Sequence, residues 1–246
     1  MIPRKIHYCW VGGKPLPEKF RRYIDSWRRF MPEAEIIEWN ERNYDFTKNA
    51  YMAAAYHAQK WGFVPDYARL DIIYEHGGIY LDTDVEMVRS LDPLLQQEAF
   101  CGFEEKGHVA LGLVFAAVPG HPVIRRLRDS YDELQFKNPD GSLNLKPAPP
   151  LQTEALKRIG LHPDDGTVQD VMGLKVYPRD YFAPQDFLGN LHLTENTYTI
   201  HHYAATWMPL RWKIQTYLRE KSERFLGDAI TRQLVRVKRL IWPEWK

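Results

Sequence analysis

The sequence has little of several features that would assign its class at once. It has only two cysteines, Cys9 and Cys101, and both have apolar neighbours, so we expect buried thiols and no disulfide framework. A net charge of +1 gives no global indication of nucleic-acid binding. No stretch approaches the ~18 apolar residues of a membrane span, and the opening MIPRKIHYCW lacks the apolar segment of a secretion signal. We therefore expect a cytoplasmic protein with no nucleic-acid partner.

The N-terminal half alternates between strand and helix patterns. Residues 6–11 and 35–39 are apolar and aromatic runs that predict strands. Between them, apolar residues recur at helical spacing from Leu16 to Met31, with arginines on the opposite face. Helical composition returns at 50–60. These elements predict an α/β domain.

A further helix is predicted to begin at Pro65, with Asp66 as its N-cap, and to end at Gly77-Gly78. A strand carrying two aspartates follows directly. The order of strands and helices favours a mostly parallel central sheet flanked by helices.

The region after residue 98 predicts more strands than helices. Strand patterns cover 99–105, 109–118 and 174–178, and a helix begins at Val123. Residues 137–150 are rich in Pro, Gly and Asn, which is typical of a loop.

The stretch GGIYLDTDVEM, residues 77–87, raises the question of function. On one strand, Asp82 and Asp84 would face the same side together with Tyr80 and Glu86. Their alternate neighbours would face the core: Ile79, Leu81, Val85 and Met87. Two adjacent carboxylates repel unless a positive charge joins them, and oxygen ligands suit Mg²⁺ or Mn²⁺.

The aspartate pair alone leaves several interpretations open. It could be a solvated strand end. It also fits the D-x-D-x-[TV] motif of haloacid-dehalogenase-type phosphohydrolases, although that motif usually follows the first strand. A non-catalytic carbohydrate-binding domain is a third reading. A calcium loop is disfavoured because the glycine and distal glutamate of an EF-hand are missing.

The wider pattern is more specific. Asp66, Arg69, Gly77-Gly78, Tyr80 and the aspartate pair resemble the sugar-binding region of family 32 glycosyltransferases, which contains the DXD motif. The opening IPRKIHYCWVGGKPLPEKF and the later ENTYTIHHYAATW are similar to two further signatures of that family, and the resemblance covers residues 1–208 at intervals. The sequence departs from the family at Thr206, where serine is usual, and at Leu111-Gly112-Leu113, where many relatives carry a polar residue. The second departure puts the acceptor-side residues in doubt.

The resemblance implies a metal-dependent, retaining glycosyltransferase with a GT-A type, Rossmann-like fold. Its substrates would be a nucleotide sugar, with UDP-hexose favoured and a GDP-sugar as the alternative, and a lipid-linked glycan acceptor in surface polysaccharide (capsule or O-antigen) synthesis. The cofactor would be Mn²⁺ or Mg²⁺. The enzyme would work in the cytoplasm, on the inner face of the cytoplasmic membrane.

The resemblance also implies a role for each site residue. The metal ligands would be Asp84, His202 and Thr206, with His201 as a rival for His202. Asp82 and Trp207 would act with Asp84 at the reacting diphosphate. The donor would contact six residues: Trp10, Val11, Asp66, Arg69, Tyr80 and Asp82. For Trp10 core packing is an equal alternative, Asp66 and Arg69 could form only a local salt bridge, and His7 is interpreted as structural.

The C-terminal segment differs in charge from the rest of the chain. We divide the sequence into a domain of residues 1–210 and a tail of residues 211–246, where ten Lys and Arg face four Asp and Glu with aromatics interleaved. This pattern is typical of a basic amphipathic helix, which can lie on an anionic membrane. A solvated helix packed on the domain explains it equally well.

Overall fold

The computed structural model describes residues 1–104, 107–162, 166–186 and 190–204. Nine strands are described there: β1 (Lys5–Cys9), β2 (Glu35–Trp39), β3 (Gly78–Tyr80), β4 (Val85–Met87), β5 (Ala99–Gly102), β6 (Phe115–Ala117), β7 (Gln169–Val171), β8 (Leu174–Tyr177) and β9 (Thr199–His201). The helices described are α1 (Glu18–Phe30), α2 (Ala50–His57), α3 (Pro65–His76), α4 (Pro122–Asp129), α5 (Ala148–Lys157) and α6 (Arg179–Phe182).

Seven strands form one sheet in the order β2-β1-β3-β6-β5-β8-β7. Strand β1 pairs in parallel with β2 and β3, β5 pairs in parallel with β8, and β6 and β7 run against their neighbours. Five of the seven strands therefore point the same way, which confirms the predicted α/β class with a mostly parallel sheet. Strands β4 and β9 form a separate antiparallel pair.

Apolar side chains cover both faces of the main sheet, as a sheet buried between layers requires. On α1 the buried residues Phe20, Ile24 and Trp27 follow the predicted helical spacing, and Arg21 and Arg28 are exposed. The predicted core residues around the aspartates, Ile79, Leu81, Val85 and Met87, are all fully buried. Cys9 and Cys101 are free and buried, as predicted.

The corner between α3 and β3 needs its two glycines. Gly77 has φ +63°, and a Cβ there would lie 2.6 Å from Pro119 Cδ, while a Cβ on Gly78 would lie 2.7 Å from the Lys5 carbonyl oxygen. These close approaches seat β3 beside β1 and aim the chain toward Asp82.

His7 stabilises this corner through two hydrogen bonds. Its Nε2 lies 3.0 Å from the Gly77 carbonyl oxygen, and its Nδ1 accepts from Trp39 Nε1 at 3.0 Å. Both contacts are met only by a neutral ring that carries its proton on Nε2, and burial lowers the His7 pKa to about 4. The contacts agree with a structural interpretation of His7.

Some predicted boundaries are wrong. The strand predicted at 109–118 is limited to Phe115–Ala117, and α5 begins at Ala148 within the predicted loop. The N-cap of α3 is Val64, so Asp66 lies inside the first turn instead of capping it. No helix among the described residues has the length and hydropathy to span a membrane. Residues 211–246, and hence the predicted basic tail, lie outside the described residues.

Candidate functional site

The two aspartates lie in a turn between two short strands. β3 ends at Tyr80 and β4 begins at Val85, whose N–H donates to the Asp82 carbonyl at 3.1 Å. The Asp82 N–H donates to the Gly112 carbonyl at 3.0 Å. The prediction that both aspartates lie on one strand is therefore wrong, because the chain leaves the main sheet after β3 so that β4 can pair with β9.

The first group of charged side chains is the Arg69 cluster, which consists of Asp66, Arg69 and Asp82. Arg69 Nη2 lies 3.1 Å from Asp66 Oδ1 and 3.6 Å from Asp82 Oδ1. The guanidinium also stacks over the Tyr80 ring, 5.3 Å from its centroid, and its Nε donates to the Pro65 carbonyl at 3.0 Å. One guanidinium thus balances two carboxylates and is held by the first turn of its own helix.

Burial dominates the electrostatics of the Arg69 cluster. It raises the pKa of Asp66 to about 7, against the opposing effect of Arg69 and with a smaller contribution from Asp82. The pKa of Asp82 is raised in the same way, by burial first and also by Asp84. Asp82 is the most exposed member of the cluster. Its side chain is 30% exposed, whereas those of Arg69 and Asp66 are 6% and 7% exposed.

The second group is the Asp84 pair, which consists of Asp84 and His201. Pairing of β4 with β9 sets Val85 opposite His201. Asp84 Oδ1 then lies 3.3 Å from His201 Nε2, and Asp84 Oδ2 accepts from the Ala204 N–H at 2.8 Å. Burial opposes ionisation of Asp84, but His201 and the Ala204 N–H outweigh it and lower its pKa to about 2.

His202, the residue after β9, has different partners from His201. Its Nε2 is 2.8 Å from Glu86 Oε2, and its ring stacks on Tyr23 of α1 with centroids 4.4 Å apart. Its backbone N–H donates to the Asp84 carbonyl at 3.0 Å. The structure therefore sets the imidazole of His201 against the Asp84 carboxylate, and that of His202 against Glu86. Metal ligation by either histidine stays a prediction.

Trp10 and Val11 follow β1, whose C-terminal end lies at the same sheet edge as that of the parallel strand β3. Trp10 Nε1 donates to the Lys14 carbonyl at 2.6 Å and its ring meets the edge of Phe20. Both Trp10 and Val11 are partly buried. Their predicted contact with the donor remains a prediction. Thr206 and Trp207 lie outside the described residues.

The donor set around Asp84 suits a hard divalent cation. Among the described residues no three His, Cys, Asp or Glu side chains converge as a complete metal site. Asp84 and His201 nevertheless offer a carboxylate oxygen and an imidazole nitrogen. Burial lowers the pKa of His201, but Asp84, with smaller contributions from Asp82 and Glu104, outweighs burial and raises it. These carboxylates and the imidazole are chemically suited to a hard divalent cation.

Sequence reasoning missed two contributors to the site. Gly112, noted only for lacking a polar side chain, accepts a hydrogen bond from the Asp82 N–H, and a Cβ added there would overlap Asp82 and Arg69. Gln152 of α5 accepts from the Leu111 N–H at 3.1 Å and so touches the backbone next to Gly112. The proline-rich PAPP before Gln152 resembles the start of a helix, where Pro is favoured, and would have located α5 but not its contact.

Comparisons with known proteins give matches to glycosyltransferases. Residues 17–101 match the family described as "Glycosyltransferase sugar-binding region containing DXD motif". Inositol phosphoceramide mannosyltransferase 1 of Schizosaccharomyces pombe is 30% identical over 134 residues, which are 50% of this chain and 40% of that protein. Mannosyl phosphorylinositol ceramide synthase of Saccharomyces cerevisiae is 30% identical over 146 residues, which are 55% of this chain and 37% of that protein.

A mimivirus protein, the uncharacterized glycosyltransferase L373, is 31% identical over 136 residues, 50% of this chain and 53% of that protein. The match thus spans about half or less of the length of these curated relatives. Among solved structures, the glycosyltransferase PaToxG aligns with a TM-score of 0.46 and 19% identity, over 64% of this chain and 68% of that chain. The galactosyltransferase LgtC aligns with a TM-score of 0.41 and 12% identity, over 87% and 95%.

Proposed function

We propose that this chain, in which residues 17–101 carry the DXD sugar-binding region of family 32 glycosyltransferases, is a metal-dependent retaining glycosyltransferase. It would transfer a hexosyl group from a nucleotide sugar to a hydroxyl group of a glycan or glycolipid. The observation that carries the proposal is the adjacency of the Arg69 cluster and the Asp84 pair. One group suits sugar hydroxyls and the other suits a diphosphate with its cation.

The Arg69 cluster supplies both kinds of hydrogen-bonding group that a sugar hydroxyl needs. Ionised Asp66 and Asp82 only accept, and Arg69 only donates, whereas a hydroxyl does both. Because Asp66 and Arg69 are almost fully buried and paired, they are held in place before the donor arrives. Asp82, the exposed member, faces the position where the sugar would enter.

The Asp84 pair would hold the divalent ion together with the donor diphosphate. When bound, Mn²⁺ or Mg²⁺ would neutralise the charge that develops on the leaving nucleoside diphosphate. Of the two histidines, His201 is the favoured ligand because its ring already lies against Asp84. His202 would act from Glu86 and Tyr23, outside the Asp84 carboxylate. Thr206 and Trp207 keep their predicted roles as further ligand and diphosphate contact.

Retention of configuration is proposed from the family resemblance. A double displacement would need a free carboxylate as nucleophile. Asp66 and Asp82 are both paired with Arg69, which favours binding roles for them. Attack on the same face from which the phosphate departs needs no protein nucleophile, and we favour it.

The names of the relatives bear on the donor and the acceptor. One of them is named an inositol phosphoceramide mannosyltransferase and another a mannosyl phosphorylinositol ceramide synthase, so a mannosyl donor, GDP-mannose, joins the UDP-hexoses as a first candidate. A lipid-linked acceptor suits both those relatives and the predicted surface-polysaccharide role. Residues 211–246, with their excess of Lys and Arg, would hold the protein at an anionic membrane surface.

Donor hydrolysis tests the activity without knowledge of the acceptor. GDP-mannose, UDP-glucose, UDP-galactose and UDP-N-acetylglucosamine are incubated with protein and Mn²⁺, and the products are separated. We expect a nucleoside diphosphate and free sugar from at least one donor, and loss of this reaction in Asp84→Asn. Release of phosphate from monoesters, abolished by Asp82→Asn, would instead support the phosphohydrolase reading.

The membrane contact has its own test. Sedimentation with vesicles that contain phosphatidylserine compares the full chain with a variant carrying Arg232, Arg236, Lys238 and Arg239 as glutamate. We expect the wild type to sediment and the variant to stay in solution. Equal sedimentation of both proteins would overturn the membrane role of this segment.

A further inference from the structure

The backbone of Gly112 packs closely against the Arg69 cluster. Its carbonyl accepts from the Asp82 N–H at 3.0 Å. A Cβ at this position would overlap Asp82 Oδ2 and would lie 2.7 Å from Arg69 Nη1. Gly112 is not among the residues with positive φ, so the close approach of its backbone, and not a left-handed conformation, excludes a side chain.

Two consecutive residues of α5 hold the backbone that leads to Gly112. Gln152 Oε1 accepts from the Leu111 N–H at 3.1 Å, and Thr153 Oγ1 accepts from the Val109 N–H at 2.8 Å. The Thr153 hydroxyl also donates to the Pro149 carbonyl at 2.7 Å, which fixes its direction. Both side chains are 1–2% exposed. The segment 109–112 is therefore clamped by one helix on one side and meets the charged cluster on the other.

The two polar atoms of the Gln152 amide face different neighbours. The Leu111 N–H requires an acceptor, so the amide oxygen must face it and the Nε2 group must point elsewhere. Nε2 is buried beside the Tyr131 hydroxyl, whose pKa is raised by burial and lowered by its contact with Gln152. Gln152 therefore connects the Leu111 backbone to a buried side chain, which fixes the position of that backbone.

We propose that Gln152 and Thr153 are positioning residues for the donor sugar. By fixing segment 109–112 they keep the Gly112 backbone in register with Asp82, and so hold the Asp82 carboxylate against Arg69 in the arrangement that receives sugar hydroxyls. This inference rests on the proposed function. It predicts that both residues affect recognition of the sugar and not of the nucleotide.

The test separates the sugar from the nucleotide in binding. Affinities for GDP-mannose and GDP, and for UDP-glucose and UDP, are measured by calorimetry with Mn²⁺. The ratio within each pair reports the contribution of the sugar. The variants are Gln152→Met and Thr153→Val, which remove the acceptors, and Thr153→Ser, which keeps its hydroxyl. Gln97→Met is the matched control, because the Gln97 amide also contacts a tyrosine hydroxyl, that of Tyr177, and neither residue belongs to the Arg69 cluster or to segment 109–112.

We expect Gln152→Met and Thr153→Val to lower the ratio about fivefold or more, the effect of losing one hydrogen bond, with nucleoside diphosphate affinity within about twofold of wild type. Thr153→Ser and Gln97→Met should keep the wild-type ratio. A general loss of structure would weaken sugar nucleotide and nucleoside diphosphate equally and would overturn the inference. An unchanged ratio in both acceptor-removing variants would also overturn it while leaving the proposed function intact. If the wild type binds none of the sugar nucleotides, both are wrong.

Discussion

The Arg69 cluster and the Asp84 pair lie side by side but are assembled in different ways. The members of the Arg69 cluster lie on α3 and in the turn that follows β3, all within residues 66–82. The Asp84 pair joins residues 117 positions apart through two three-residue strands. In the first, Arg69 and Asp66 are 6% and 7% exposed and Asp82 is 30% exposed, whereas both side chains of the second are 14% exposed. The comparison shows that short-range spacing in the sequence can fix the geometry of one group. The geometry of the adjoining group depends on the pairing of two strands that are far apart in the sequence.

Loss of Arg69 should show the largest effect, because two carboxylates depend on it. Arg69→Met leaves Asp66 and Asp82 without their shared counter-charge in a buried position, so we expect a loss of about 3–5 kcal/mol in the free energy of unfolding. Urea denaturation at pH 8 measures this. Arg28→Met is the control, since its pair with Asp25 is exposed and should change stability by less than about 1 kcal/mol. Equal losses of stability in the two variants would show that Asp66 and Asp82 do not depend on Arg69 as their counter-charge.

The raised pKa of Asp66 predicts a second effect, which depends on pH. With a folded-state pKa of about 7 and an ordinary value of 3.8, Asp66 binds a proton in the folded protein but not in the unfolded chain between those values. Wild-type stability should therefore fall as pH rises through this window, by up to about 4 kcal/mol relative to Asp66→Asn. Urea denaturation of both proteins from pH 4 to pH 8 tests the sign. A difference in the free energy of unfolding that stays constant with pH would contradict the raised pKa of buried Asp66.

The Asp84 pair should be sensitive to one histidine and not to its neighbour. His201→Ala removes the imidazole that faces Asp84, so we expect Mn²⁺ affinity in the presence of GDP to fall at least about tenfold. His202→Ala removes a ring that bonds Glu86 instead. We therefore expect it to lower Mn²⁺ affinity by less than about threefold. Titration of Mn²⁺ followed by electron paramagnetic resonance measures both. The opposite order would restore the original assignment of His202.

The Arg69 cluster was predictable because spacing within a helix fixes geometry. Asp66 and Arg69 are three residues apart on α3 and so must share a face, and two glycines mark where α3 ends and β3 begins. The predicted N-cap role of Asp66 failed because its carboxylate turns toward Arg69 and away from the free N–H groups of the helix.

The identity of the histidine could not be derived in the same way. Adjacent residues on a strand face opposite sides, so a shift of one residue in the β4–β9 register would exchange His201 and His202. Nothing within HHYAATW determines that register. It follows from pairing with a strand more than 110 residues earlier, in which Val85 lies opposite His201.

The contact from α5 was also beyond local patterns. Gln152 acts through a backbone N–H, which carries no side-chain signal at Leu111. The turn that contains Asp82 and Asp84 was not predicted for a related reason. The alternation of Ile79, Leu81, Val85 and Met87 fits one strand, and all four lie in one core, yet β3 and β4 belong to different sheets.

The central claim is that the Asp84 pair and the Arg69 cluster together bind a sugar nucleotide through a divalent cation. The most direct measurement is calorimetric titration of GDP-mannose and UDP-glucose into wild type and Asp84→Asn, each with and without Mn²⁺. We predict that at least one donor binds the wild type only when Mn²⁺ is present, and that Asp84→Asn weakens this binding about tenfold or more. Absence of binding by both donors, or equal binding by Asp84→Asn and wild type, would contradict it.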